Sequence, residues 1–159
     1  MATIKQAAYQ TRQFGGFSPF GNNTSLNFGV KTDATGKVIG AADGSAAPAI
    51  GDVIDLGQLP QGWRLEDATV YVTTGMTTAV TGSLGFAYED GVNDAAVPQD
   101  AAYFGAALNL AAAARLRATG SKLVVLPKTA RLIFTIAGAA NAKASDIQVI
   151  VSGELQGPR

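Results

Sequence analysis

The sequence predicts an all-β protein: an antiparallel β-sandwich or jelly-roll-like barrel with an extended N-terminal arm and at most one short helix. About eight short runs are rich in β-branched residues or alternate apolar with polar residues, as strands do. Turn signals separate these runs at intervals of about 8–12 residues, which is typical of sandwiches and barrels. With 159 residues, 47% of them hydrophobic, the chain is long enough to bury one principal core.

The first 26 residues differ from the rest. The segment QFGGFSPFGNNTSLNF spaces phenylalanines among glycines and asparagines, a composition too flexible to predict a regular element. We therefore expect an extended arm over residues 1–26 and a single β domain over residues 27–159. Because such an arm cannot form its own core, it either folds across its own sheet or binds a neighbouring chain. The candidate partner-binding residues are Phe14, Phe17, Phe20, Asn22 and Asn23.

The β domain begins with a predicted hairpin of strands 27–32 and 37–40, followed by a loop over 41–51. Residues 53–56 form the next apolar run. The Leu-Pro-Gln-Gly sequence at 59–62 then predicts a tight turn, which we interpret as a hairpin corner.

The strand after this turn, residues 64–74, alternates with a period of two. One face is expected to carry Ala68, Val70 and Val72. The other is expected to carry Leu65, Thr69, Tyr71 and Thr73. Neither face is strongly charged, so the strand is predicted to be central and largely covered.

The next strand, residues 79–89, has one apolar face formed by Val80, Leu84, Phe86 and Tyr88. The loop over 89–100 is acidic, and clustered carboxylates are the ligands that calcium prefers. Its spacing does not match the EF-hand loop, which favours a solvated acidic loop over a metal site.

Residues 101–118 are the one helix-compatible stretch, because alanine, leucine and arginine are good helix formers. We predict a short helix over about residues 106–117, with a strand and a loop as the alternative in an otherwise β chain.

The last third returns to strands. Runs over 122–126, 130–136 and 147–152 are apolar or alternating, and the small-residue connection at 138–145 is interpreted as a hairpin loop. Gly153 and the residues after it are expected to form a frayed tail.

Charge is scarce and unevenly distributed. Charged residues make up 15% of the chain and the net charge is zero, which argues against electrostatic binding of nucleic acid. Residues 1–51 carry four basic and two acidic groups (+2), residues 52–100 one and eight (−7), and residues 101–159 seven and two (+5). The acidic and basic segments either join neighbouring copies or neutralise each other inside one subunit.

The chain has no cysteine and no histidine. Disulfides, thiolate nucleophiles and catalytic triads are therefore excluded, and no spacing of carboxylates indicates a general acid/base pair. We predict no enzymatic activity, catalytic residue, cofactor or metal. No apolar run reaches the roughly 18 residues of a membrane span, and the start lacks a signal-peptide core. We expect synthesis in a cytoplasm and no membrane partner.

The run VIDLGQLPQG at residues 53–62, the strand TGSLGFAYEDG, the alanine-rich ALNLAAAARLRA and the final IQVIVSGEL together resemble a family of small structural proteins of tailed bacteriophages. The resemblance covers roughly residues 50–155. The sequence is similar to those of capsid decoration (cement) proteins and minor head proteins. It implies a protein synthesised in the bacterial host and bound in many copies, often as trimers, to the major capsid protein on the outer surface of the virion.

Two other interpretations stay open. One is a different virion component, such as a head-fibre base or tail protein. The other is a carbohydrate-binding β-sandwich that uses Trp63, Tyr71 or Tyr88 as stacking platforms. Against the second, a large aromatic residue after a turn usually covers the core.

Overall fold

The computed structural model describes residues 3–5, 23–41, 46–120 and 122–156, and in these ranges the chain forms ten strands and no helix. The strands are β1 (Thr3–Lys5), β2 (Asn23–Thr32), β3 (Val53–Leu59), β4 (Trp63–Thr74), β5 (Thr81–Tyr88), β6 (Asp100–Asn109), β7 (Ala114–Arg117), β8 (Val124–Val125), β9 (Ala130–Ala137) and β10 (Ser145–Leu155). No helix long and apolar enough to cross a bilayer occurs within these ranges.

Two sheets pack face to face, which confirms the predicted β-sandwich. The first has the strand order β1-β3-β9-β5-β6 and the second β2-β10-β4-β7, with β8 paired to β4. All pairings are antiparallel except that of β1 with β3. The large, fully buried side chains lie between the sheets, where they exclude water from the core. They include Trp63, Phe86, Phe134, Ile54, Leu56, Leu65 and Leu84.

Most connections cross from one sheet to the other. Among the described strands, only β5 and β6 are consecutive and also paired with each other. The hairpin interpretation is therefore wrong for the turn at 59–62, which leads from β3 to β4, and for the connection between β9 and β10. Each of these strands has an apolar face that must be covered by the opposite sheet, and a short turn can make an inter-sheet corner as readily as a hairpin.

A β-bulge corrects the predicted faces of β4. Leu65 lies opposite Gly153 and Asp67 lies opposite Ser152, so Glu66 is an extra residue on this strand. The extra residue shifts the alternation by one position. Leu65 and Ala68 consequently both face the core, whereas strict alternation placed them on opposite faces.

The predicted helix over residues 106–117 is wrong, and the alternative of strand and loop is correct. β6 pairs with β5 through Asn109, and β7 pairs with β4 through Ala114 to Arg117. Between them Leu110 is fully buried, and its amide donates to the carbonyl oxygen of Val80. Helix propensity is small per residue, so pairing with two existing sheets outweighs it.

Both ends of the domain differ from the predicted boundaries. β2 begins at Asn23 rather than residue 27, and β1 lies beside β3, with Thr3 opposite Val53. β10 continues through Gly153 to Leu155, so the predicted frayed tail is wrong for these residues. The first turn is confirmed by an isolated bridge between Thr32 and Val38, but the predicted strand over 37–40 does not form.

Candidate partner interface

The two ends of the sandwich are chemically different. At one end β2, β4, β6 and β9 finish and β3, β5, β7 and β10 begin, so this end consists of residues 33–41, 46–52, 75–80, 110–113 and 138–144. We call it the alanine-rich end. The opposite, charged end consists of residues 60–62, 89–99 and 118–129, with the start of β2 and the finish of β10.

The alanine-rich end is made of four loops, because residues 33–41 and 46–52 belong to the same connection between β2 and β3. Asn141 joins three of these loops. Its side chain is buried, and Nδ2 donates to Thr32 Oγ1 (3.1 Å) and to the carbonyl oxygens of Gly36 (3.3 Å) and Lys143 (2.9 Å). Oδ1 accepts from the Thr77 amide at 3.1 Å and from its hydroxyl at 3.3 Å. The Asn141 amide also donates to the Pro48 carbonyl oxygen. A buried amide with this many partners fixes the loops relative to one another.

Close backbone contacts connect the fourth loop. A Cβ on Gly75 would lie 2.3 Å from the carbonyl oxygen of Ala111, and one on Gly138 would lie 2.1 Å from that of Ala79. Real side chains do not approach backbone oxygens so closely, so glycine is required at both positions. The described parts of all four loops therefore contact one another at this end of the sandwich.

This surface consists mostly of small residues and carries few long side chains. Ile39 and Ile50 are 57% and 64% exposed, although isoleucine is usually buried. Among the described residues of this end, the exposed side chains larger than alanine are Thr35, Lys37, Ile39, Ile50, Thr78 and Lys143. The charged end exposes aliphatic side chains to a similar extent, with Val92 at 61% and Leu123 at 65%.

The charged end holds the acidic loop in place with hydrogen bonds. Lys128 Nζ donates to Asp90 Oδ2 at 2.7 Å and lies 4.6 Å from the centre of the Tyr88 ring. This hydrogen bond, with a second from the Val92 amide, lowers the pKa of Asp90 below its ordinary value. Asp94 Oδ1 accepts from the amide of Val97. Among the described residues, no group of three or more acidic side chains is arranged to hold a metal ion.

At the same end, the pKa of Tyr88 shifts in the opposite direction from that of Asp90. Tyr88 is buried, its hydroxyl donates to the Val97 carbonyl oxygen, and burial raises the pKa of the phenol. Tyr88 is therefore part of the fold and is not available as an aromatic platform.

Ion pairs connect the acidic and basic segments inside the chain. Arg131 Nη2 lies 2.9 Å from Asp55 Oδ2, and the side chains of Arg131 and Asp55 are only 17% and 7% exposed. Arg131 Nη1 also lies 3.8 Å from Glu89 Oε1. Arg117 pairs with Asp67. Of the two interpretations of the charge distribution, these contacts support neutralisation within one subunit.

The residues that the sequence nominated are only partly placed. Phe14, Phe17, Phe20 and Asn22 lie outside the described residues. Asn23 is the exposed first residue of β2 and lies opposite Glu154, at the charged end.

The carbohydrate platform is not supported by the aromatic side chains. Trp63 is fully buried in the core, as is most of Tyr88. Tyr71 is half-buried, and the Arg115 guanidinium covers its ring at 5.2 Å. A platform needs an open ring face, which Trp63 and Tyr88 do not offer, and the Arg115 guanidinium occupies one face of Tyr71.

Sequence reasoning missed Ile39, Ile50 and Asn141. Each lies in a short glycine- or alanine-rich segment between strands: GKVIG, APAIG and GAANAKAS. A large side chain among small loop residues was the only available signal, and an analysis of strand alternation does not detect it.

No protein-family model matches the chain, and no curated protein matches its sequence. Its fold is similar to that of solved structures. A chain in the structure "Capsid of Ralstonia phage GP4" aligns with a TM-score of 0.67 and 22% identity, covering 99% of this chain and 100% of that one. A chain in "Cyanophage Pam1 capsid asymmetric unit" aligns with a TM-score of 0.60 and 17% identity, covering 92% and 94%. The chain thus shares its fold, over 99% and 92% of its length, with components of two phage capsid structures.

Proposed function

We propose that the chain is a non-enzymatic virion protein that binds and stabilises the outer surface of a bacteriophage capsid as a decoration protein. The observation that carries this proposal is the likeness to a chain of the Ralstonia phage GP4 capsid, which spans 99% of this chain and all of that one. The absence of histidine and cysteine from the sequence is consistent with a structural role.

The strand order supports a jelly roll as the fold. Eight strands divide into two four-stranded sheets with the orders β2-β10-β4-β7 and β3-β9-β5-β6, and nearly every connection crosses between the sheets. Two interleaved four-stranded sheets of this kind are what distinguishes a jelly roll from a simple meander, and capsid proteins commonly use the fold.

The partners we propose are the major capsid protein and further copies of this chain, with a trimer as the oligomer. Phe14, Phe17, Phe20, Asn22 and Asn23 are the proposed contact residues of the arm. A charged fraction of 15% suits a protein whose surface is largely covered in an assembly, and linked copies multiply weak individual contacts.

The proposal is tested by adding the purified protein to expanded capsid shells from a phage lacking its gene. We expect saturable binding at hundreds of copies per shell. Saturation at a few dozen copies or fewer would identify a head-fibre base or tail component instead, and no binding would contradict any attachment to the shell.

The arm is tested separately. In the variant F14A/F17A/F20A, loss of three aromatic anchors is expected to weaken shell binding at least tenfold. The variant Q10A/T11A/Q13A changes polar residues of the same segment and serves as the control. Equal binding by both variants would remove the arm from the attachment site.

A further inference from the structure

β1 is attached to the domain differently from the other described strands. It is three residues long, and its pairing with β3 is the only parallel one among them. Thr3 lies opposite Val53 and Lys5 opposite Asp55, at the edge of the first sheet, so β1 pairs with no other described strand. So short a ladder supplies few hydrogen bonds, and each contributes little net stability. An equivalent strand can therefore replace β1 at small cost.

β3, in contrast, needs a strand at this edge. Ile54 and Leu56 are buried in the core, and Asp55 is only 5% exposed. Without β1, the backbone N–H and C=O groups on this side of Val53–Asp55 would lose the partners that β1 supplies. The edge of a sheet is a template for an extended strand, whichever copy of the chain supplies that strand.

The connection after β1 is longer than a path within one subunit requires. β1 runs parallel to β3 toward the charged end, and Lys5 lies level with Asp55, four residues before the last residue of β3. β2 lies across the sandwich from β3 and begins at that same end, where Asn23 is opposite Glu154. At about 3.3 Å per residue along a strand and about 10 Å between packed sheets, about eight residues would join Lys5 to Asn23. The sequence places 17 residues between them, numbers 6–22.

A connection of that length reaches a neighbouring subunit. Seventeen residues span up to about 55–60 Å when extended, whereas a compact domain of this size is about 40 Å across. Resting on that part of the proposed function in which copies associate, we propose that β1 is exchanged between copies, so that Thr3–Lys5 of one copy pairs with Val53–Asp55 of the next. In a trimer, each copy then gives one strand and receives one, and the exchange closes into a ring.

The occupant of the β3 edge is a second copy because the strand that fits this edge belongs to the chain itself. Exchange keeps the register of the pairing and its hydrogen bonds, and changes only which copy supplies the strand. The entropy of closing a loop changes slowly with its length, so the pairing within one chain has only a small advantage. The copies of an oligomer offset that advantage, because they present their strands to one another at high effective concentration.

Cysteine pairs test the exchange directly, because the chain has no cysteine of its own. Paired residues on neighbouring strands lie about 5 Å apart, within the range that a disulfide bridges. T3C/V53C places cysteines across β1 and β3. V53C/T135C shares one of these positions and places cysteines across β3 and β9, a pairing within one chain, so it is the control. Both variants are oxidised in solution and on expanded shells, and separated on denaturing gels without reductant.

We expect oxidised T3C/V53C to run as covalent dimers and trimers that reductant returns to monomers, and V53C/T135C to run as a monomer throughout. If T3C/V53C forms its disulfide within monomers, both in solution and on shells, β1 pairs within its own chain. That result would overturn the inference while leaving the proposed function intact. Thiols that stay free in both conditions would overturn it as well, because the β3 edge would then be left to a strand of the shell protein.

Co-expression of T3C with an affinity-tagged V53C gives an independent test, because two singly substituted chains can form this disulfide only by exchange. We expect a covalent dimer of one tagged and one untagged chain. T3C alone and V53C alone are the controls and should form no such dimer. Absence of the mixed dimer, or equal yields in the controls, would contradict the exchange. If the mixed dimer forms but the unchanged protein does not bind shells, the proposed function fails and the exchange stands.

Discussion

Asn141 shows how one side chain can determine the geometry of a whole surface. Its amide satisfies Thr32, Gly36 and Thr77, which belong to segments distant in sequence, from a position with only 1% exposure. Alanine at this position would leave several buried donors and acceptors without partners. Each unsatisfied buried group costs about 1–3 kcal/mol, although relaxation recovers part of the loss.

We expect Asn141→Ala to lower the free energy of unfolding by about 3 kcal/mol, measured by urea denaturation. Asn27→Ala, at an exposed position of β2, is the control and should change it by less than about 0.5 kcal/mol. A loss below about 1 kcal/mol for Asn141→Ala would mean that the loops do not depend on this amide.

The Lys128–Asp90 contact gives a pH prediction. The hydrogen bond from Lys128 stabilises the charged carboxylate, so the pKa of Asp90 lies below 3.8 in the folded protein. A lowered pKa contributes stability above the ordinary value, and that contribution is lost as the pH falls through the lowered value. The relevant window therefore lies below about pH 4.

Lys128→Met is expected to raise the pKa of Asp90 toward 3.8, followed by NMR titration of the carboxyl carbon. Lys122→Met, at an exposed position that makes no ion pair with Asp90, should leave it in place. An unchanged titration in Lys128→Met would assign the shift to the Val92 amide instead.

At the scale of elements, the bulge at Glu66 determines which deletions β4 tolerates. Deleting one residue from a strand moves its apolar set to the opposite face. Glu66 is the exception, because without this extra residue Leu65, Asp67 and Ala68 would alternate strictly, and Leu65 and Ala68 would still share the core face. Deletion of Thr69, in the regular part of β4, would instead place Ala68 and Val70 on opposite faces.

We expect deletion of Thr69 to prevent folding, detected as red-shifted emission of Trp63, the single tryptophan of the chain, whereas a chain lacking Glu66 should still fold. Glu66→Ala keeps the chain length and removes only a partly exposed ion pair with Arg64, so it should fold with a change below about 1 kcal/mol. Native fluorescence in the variant lacking Thr69 would show that the strand tolerates a changed register, and a red shift in the variant lacking Glu66 would show that the bulge itself is required.

Comparison of sequence and structure shows which physical effects alternation can report. The faces of β5 and β9 were predictable because Leu84, Phe86, Leu132 and Phe134 alternate without interruption. The face of Leu65 was not predictable, because the sequence does not show where a β-bulge interrupts the period-two alternation. The helix prediction for residues 106–117 failed for a different reason. Alanine favours a helix in isolation, but here the chain pairs with the edges of two sheets instead.

The interface was harder to predict than the fold. Ile39 and Ile50 lie in irregular loops, where exposure depends on how distant segments meet rather than on local pattern. The hairpin interpretations at 59–62 and 138–145 failed for a related reason, because a turn motif specifies a change of direction and not the sheet in which the next strand pairs.

At the scale of the whole molecule, nearly all strand pairings join residues distant in sequence, with β5 and β6 as the only adjacent pair among the described strands. Loop closure must precede most of the favourable contacts, and such topologies fold slowly. We expect refolding on a timescale of about milliseconds to seconds, measured by stopped-flow fluorescence of Trp63.

A double-jump experiment separates this phase from proline isomerisation, which takes about 10–100 s in a chain with six prolines. Complete refolding within microseconds would show that local contacts govern the transition state despite the topology.

The two described ends of the chain lie at opposite ends of the sandwich. Thr3 lies opposite Val53, where β3 begins at the alanine-rich end, and Gln156 lies beside the turn at Gly62 on the far side. A cargo protein fused on the amino-terminal side would therefore sit at a different end of the domain from one fused on the carboxyl-terminal side. Comparing the two fusions on the same particle would report which end of the sandwich has room for an attached protein.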